Sequence, residues 1–159
     1  MARVYATPWH RHKYLLNAWV LILPLYFLYQ SLSPEFPPVL REQTLGQYTV
    51  APMPFDTKGA YEHDGEFVKD FLVTFKQGEI DQIRQAHMNI ASSATPIEVI
   101  RERNAEEGIL HGSRHGQHVH ALAKETFEHG DRIWLTIENW DGSVVQTSWE
   151  LPVEYLSKR

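Results

Sequence analysis

The chain has 159 residues, no cysteine, 15 basic and 20 acidic side chains and a formal charge of −5. Without cysteine there is no disulfide framework, thiolate zinc site, iron–sulfur cluster or cysteine nucleophile, so any metal falls to His, Met, Asp, Glu or water. Past Lys13 the balance is 12 basic against 20 acidic residues, or −8. That is the wrong sign for nucleic acid, and no nucleic-acid partner is expected.

Residues 1–13 form a short basic tail with Arg3, Arg11 and Lys13. Tyr14 to Leu32, YLLNAWVLILPLYFLYQSL, then runs nineteen residues without a charge. As a helix it would be about 28 Å long, close to the hydrocarbon thickness of a bilayer. The run is too long for the core of a cleavable signal peptide, and it ends in Tyr26, Phe27 and Tyr29, which suit a membrane–water interface. Positive charge at one end only predicts a cytoplasmic N-terminus and export of the remainder. The expectation is therefore a single-pass protein of a bacterial inner membrane with a periplasmic domain. Pro24 is expected to kink the span, and Asn17 offers a polar contact to a neighbouring helix.

Residues 33–44, SPEFPPVLREQT, carry three prolines and read as a semi-rigid linker. A domain over 45–153 follows, then a tail, 154–159. QYTVAPMPFD suits a strand confined to an edge by Pro52 and Pro54. EFVKDFLVTF reads as a strand, and so does EIDQIRQAHMNIAS, with a helix as its alternative. TPIEVIRERNAEEG has the marks of a helix start, with Thr95 as cap, Pro96 first and Glu98 three after the cap, and Gly108 as its stop, while the alternation of Ile97 and Val99 leaves a strand as its alternative. DRIWLTIENW alternates cleanly, and Asp141-Gly142 turns it into SVVQTSWEL as a hairpin. Short strands with one helical insertion predict a mainly β fold, an Ig-like β-sandwich.

Nine histidines is a rich complement, and five fall between His111 and His129. Read as a hairpin turning near Ser113–Gly116, GILHGSRHGQHVHALA sets His111 opposite His118, and His120 joins them on the same face. Leu110, Val119 and Ala121 take the other face. Directly opposed Cβ atoms are about 4.5–5.5 Å apart, close enough for imidazoles to share one ion. His115, at the tip, is a candidate fourth ligand and His87 a further one, and the ion expected of such a set is copper or zinc. Met88 reads as core filler, His63 as part of a solvated turn, His129 as a turn residue, and His10 and His12 as cytoplasmic.

Trp134, Trp140 and Trp149 are expected to form an aromatic patch on the closing hairpin, a docking surface for an inner-membrane protein complex together with Asn17 and Pro24. No catalytic residue and no enzymatic activity are expected, because no nucleophile, zinc-protease or phosphate-loop motif occurs. Two readings follow: a membrane-anchored, metal-binding accessory protein, or a non-catalytic subunit of a membrane complex. PWHRHKYLLNAWVLILPLYFLY at the start and HGDRIWLTIENWDGSVVQTSWEL at the end give a layout that resembles the FixH and YtkA-like anchored β-sandwich proteins. That resemblance implies a link to copper supply or to assembly of membrane oxidases.

Overall fold

The computed structural model describes residues 8–34, 36–103 and 105–156. Most of the expected tail 1–13 (residues 1–7), and residues 157–159 of the C-terminal tail, lie outside the described residues. The chain divides into two units at Glu35 and Phe36. The first is the helix α1, Pro8–Leu32, which opens on a proline, where a missing N–H costs nothing, and carries Pro24 inside. Its segment His12–Leu32 is 21 residues long, apolar enough to cross a bilayer, and has no buried residue.

The second unit is mainly β. Its strands are β1 Gln43–Leu45, β2 Tyr48–Pro54, β3 Tyr61–His63, β4 Glu66–Gln77, β5 Ile83–Ala91, β6 His111–Ser113, β7 Gly116–Leu122, β8 Arg132–Asn139 and β9 Val144–Glu150. A six-residue helix, α2, spans Ile97–Glu102. All nine strands fall in one sheet, ordered β1-β2-β4-β7-β5-β8-β9, with β3 added on β4 and β6 on β7. The first and last strands of that order meet through side chains. Gln43 donates to the Ser148 carbonyl at 2.8 Å, Thr147 donates to Gln43 at 2.9 Å, and the Trp149 indole donates to the Arg41 carbonyl at 2.6 Å.

The inner face buries Val50, Phe71, Val73, Met88, Ile90, Val119, Ala121, Ile133, Leu135 and Ile137 in one core. Strand alternation decides membership, since residues two apart share a face. Met88 is core, as its sequence context suggested. The outer face of β5 and β8 is buried too, beneath α2 and the segment that follows it. His87, Asn89, Thr136 and Glu138 are the polar residues there, and Ile100 of α2 is 2% exposed.

Several element boundaries differ from expectation for identifiable reasons. Pro52 and Pro54 lie on β2, which has β1 on one side and β4 on the other. However, β1 pairs only with Tyr48–Val50, and the Pro52 carbonyl instead accepts from the Leu40 N–H at 2.8 Å. The prolines thus occupy the stretch that β1 leaves uncovered, the place where a missing N–H is tolerated. Leu40 packs on the core, so the second half of the expected linker belongs to the domain. Tyr155 is buried, and the domain therefore continues past 153. α2 starts at Ile97 with Pro96 as its cap and no side-chain capping bond, while the Thr95 N–H is held by the Asn89 side chain at 3.1 Å. It ends at Glu102, six residues before Gly108.

Candidate metal centre

The hairpin β6–β7 has the register read from the sequence, with His111 opposite His118 and a turn over Arg114-His115. Its inner residues Val119 and Ala121 are fully buried, which turns His118 and His120 to the outer face. The three imidazoles do converge. Ring centroids are 5.2 Å apart for His111–His118, 4.5 Å for His118–His120 and 6.3 Å for His111–His120. His118 Nδ1 lies 3.3 Å from His111 Nε2, so one proton can be shared between them.

What the hairpin alone does not reveal is its neighbour. β7 pairs with β4 so that Asp70 faces His120 and Leu72 faces His118. Asp70 Oδ1 is 2.6 Å from His120 Nδ1 and 4.0 Å from His118 Nε2. Tyr61 donates its hydroxyl to both Asp70 oxygens, at 3.0 and 2.9 Å. A carboxylate can only accept, so the 2.6 Å contact is read as Nδ1–H donating to Asp70, which leaves His120 Nε2 with its lone pair free. An ion shared by Asp70 and His120 would take the place of that proton. One ligand atom each from Asp70, His118 and His120 lies within 4.8 Å of the others. Phe55 packs its ring edge against His118, with centroids at 5.5 Å. Burial, then the neighbouring His120, holds the His118 pKa below its usual value, with Asp70 opposing and His111 adding to the shift. The ring therefore stays neutral and able to ligate near neutral pH. Burial and the bond to Asp70 push the Tyr61 hydroxyl up to about 12, fixing it as a donor.

His63 also belongs here. β3 pairs with β4, and the His63 ring stacks on His120 at 4.8 Å with 26° between planes. A second group, His63, Asp64 and Glu107, again has ligand atoms within 4.8 Å of one another. His63 stands at a turn, its side chain 42% exposed, and the tight Asp64-Gly65 hairpin turn, with φ of +48° and +86°, sets it on this face.

Two other candidate ligands lie elsewhere. His115 sits in the exposed β6–β7 turn and borders a shallow depression with Lys76–Ile80 and Arg114. Its backbone N–H reaches the Ser113 hydroxyl at 3.3 Å. His87 is 1% exposed under the 92–110 segment, and neither ring nitrogen has a hydrogen-bond partner among the described residues. Burial first, and then the Arg103 charge, depress its pKa to about 4. It is a packed outer-layer residue, since Gly108 lies so close that a Cβ there would fall 2.2 Å from His87 Nε2.

The expected tryptophan patch is also dispersed. Trp149 pairs with Ile133 on the inner face and is 3% exposed, whereas Trp134 faces outward and donates to the Ala91 carbonyl at 3.1 Å. Trp140 lies beyond the end of β8, 66% exposed. Adjacent strands place directly opposed residues on the same side, so Trp149 cannot share the face of Trp134.

Fold and site together define a class: a mainly β protein with an apolar N-terminal helix and a surface group of imidazoles and carboxylates of metal-ligand type. The chain belongs to the family described as uncharacterised conserved protein UCP029505, whose model matches residues 8–152, a span covering both the helix and the sheet. No curated protein and no solved structure matches it.

Proposed function

We propose that this protein is a membrane-anchored accessory protein that binds a divalent metal ion, copper or zinc, between Asp70, His118 and His120. The observation that carries this reading is the convergence of two imidazoles and a carboxylate from paired strands within 4.8 Å. Two nitrogens and one oxygen, with no sulfur, suit Cu(II) or Zn(II). Ligands at about 2.0–2.1 Å in a tetrahedral shell stand about 3.4 Å apart, so modest side-chain rotation would close the group on an ion. His111 would support His118, and Tyr61 would support Asp70. Anchoring rests on the part of α1 from Tyr14 to Leu32, uncharged and unburied, a pattern stable in lipid and costly in water. The Ig-like sandwich is kept as part of this proposal, as one continuous sheet folded over a single core.

Calorimetry with Cu(II) and Zn(II) on the full-length chain in mild detergent tests the site. Wild type should bind, and His118→Ala and His120→Ala should each weaken binding at least tenfold. Affinity should fall as the pH drops below about 6.5, because both imidazoles must be neutral to bind the ion. Equal, millimolar-weak binding in all three proteins would overturn the proposal.

A second reading, a non-catalytic subunit of an inner-membrane complex, is favoured by one observation: Trp140 is 66% exposed at the tip of the β8–β9 hairpin. Large exposed aromatics of this kind anchor interfaces. Asn17 and Pro24 in α1 would serve helix contacts in the same assembly. Native-size analysis after gentle extraction should then show a large complex that Trp140→Ala loosens, whereas migration as a free monomer would remove this reading.

A further inference from the structure

His63 closes β3, and Asp64 follows it in the hairpin turn, with His63 Nε2 3.8 Å from Asp64 Oδ2. Glu107 arrives from the segment that leaves α2. One ligand atom from each of these three lies within 4.8 Å of the others, as in the Asp70 group, yet the two groups have no residue in common. They abut through the stacked rings of His63 and His120, whose centroids are 4.8 Å apart. Each ring can thus serve a different ion while the two pack on each other.

We propose that the protein holds two divalent metal ions side by side, the second bound by His63, Asp64 and Glu107. The inference extends the metal-binding reading of the first group and rests on it. Charge supports the pairing. Two adjacent dications repel, and between them the groups supply three carboxylates, Asp64, Asp70 and Glu107, to offset that repulsion. The second group has one nitrogen and two oxygens, a harder donor set than the first. It should accept zinc or manganese and discriminate against copper more than its neighbour does.

The test is the number of zinc ions bound per full-length chain, read by calorimetry and by metal analysis after equilibrium dialysis. Wild type should hold two. Glu107→Gln should hold one, with the remaining affinity within threefold of the tighter wild-type step. His118→Ala should also hold one, and the double variant none. Asp64→Asn repeats the Glu107 test without disturbing the turn, because asparagine accepts positive φ as readily as aspartate. A single ion in wild type, unchanged by Glu107→Gln and abolished by His118→Ala, would overturn the second site and leave the first standing. A single ion weakened tenfold by both substitutions would mean one shared site, overturning the two-ion arrangement. No binding at all would remove the metal reading itself, and this inference with it.

Discussion

Among the residues that shape the outer layer, His87 is the most constrained. Its side chain is buried directly under Gly108, with neither nitrogen partnered among the described residues. Unfolded, the imidazole takes a proton near pH 6.5; folded, it does so only near 4. Between those values the unfolded chain binds more protons, so the stability present above 6.5 is lost as the pH falls toward 4. That depression corresponds to roughly 3 kcal/mol at the acid end of that window. Denaturant midpoints measured at pH 7.5 and pH 4.5 should therefore separate strongly in wild type and much less in His87→Leu. The leucine variant should be at least as stable at pH 7.5, because it removes two unsatisfied polar atoms. An equal pH dependence in both proteins would contradict this account. Gly108→Ala should be severely destabilising in any buffer, since its φ of +87° and the His87 ring both exclude a Cβ. The sequence showed the His118/His120 pairing because strand parity is local. Asp70 escaped because it depends on the pairing of β4 with β7, which brings together Asp70 and His120, 50 positions apart in the chain. The one local hint was a carboxylate in the middle of the apolar run EFVKDFLVTF. His63 escaped because a charged neighbourhood reads as loop, although Asp64-Gly65 was itself a hairpin signal.

At the scale of elements, α2 is too short to be stable alone and is held by what it covers. Arg101 donates to Glu138 at 2.7 and 3.1 Å, Arg84 donates to the same oxygen at 3.0 Å, and Gln85 reaches the other oxygen at 2.7 Å. Glu138 is 1% exposed, while both arginine side chains are about half exposed. The bond to Arg101, more than any other partner, keeps the Glu138 carboxyl below its usual pKa against the opposing effect of burial. Removing Arg101 leaves a buried carboxylate short of its best donor, whereas removing Arg84 leaves the network largely served. Arg101→Met should thus lower the denaturation midpoint at pH 7 clearly more than Arg84→Met does. A reversed order would mean that α2 is not fixed through Glu138. The β8–β9 hairpin was legible in full, since clean alternation and an Asp-Gly turn are both local signals. The short helix was legible in kind but not in extent, because its boundaries answer to Asn89 and Glu138, on strands its own sequence does not announce.

For the whole molecule, the division at Glu35 separates a helix that buries nothing from a sheet domain with its own core. Leu15, Leu16, Val20, Leu21, Ile22, Leu25 and Phe27 are all exposed on α1. Each would gain roughly 1.5–3 kcal/mol on leaving water, a drive that nothing within the helix unit meets. A bilayer meets it. Membrane association should therefore resist carbonate extraction in the full chain and disappear when residues 1–34 are removed. In a bilayer, Arg11 and Lys13 before the apolar segment, against no basic residue after it until Arg41, would keep the N-terminus on the cytoplasmic side. In right-side-out spheroplasts, added protease should digest the segment Gly46–Arg159, and the domain should be protected only in inverted vesicles. Protection in spheroplasts would place the sheet, and the histidines with it, in the cytoplasm. The metal proposal would then have to stand in a compartment where glutathione and other thiols compete for copper, and zinc would become the better-matched ion.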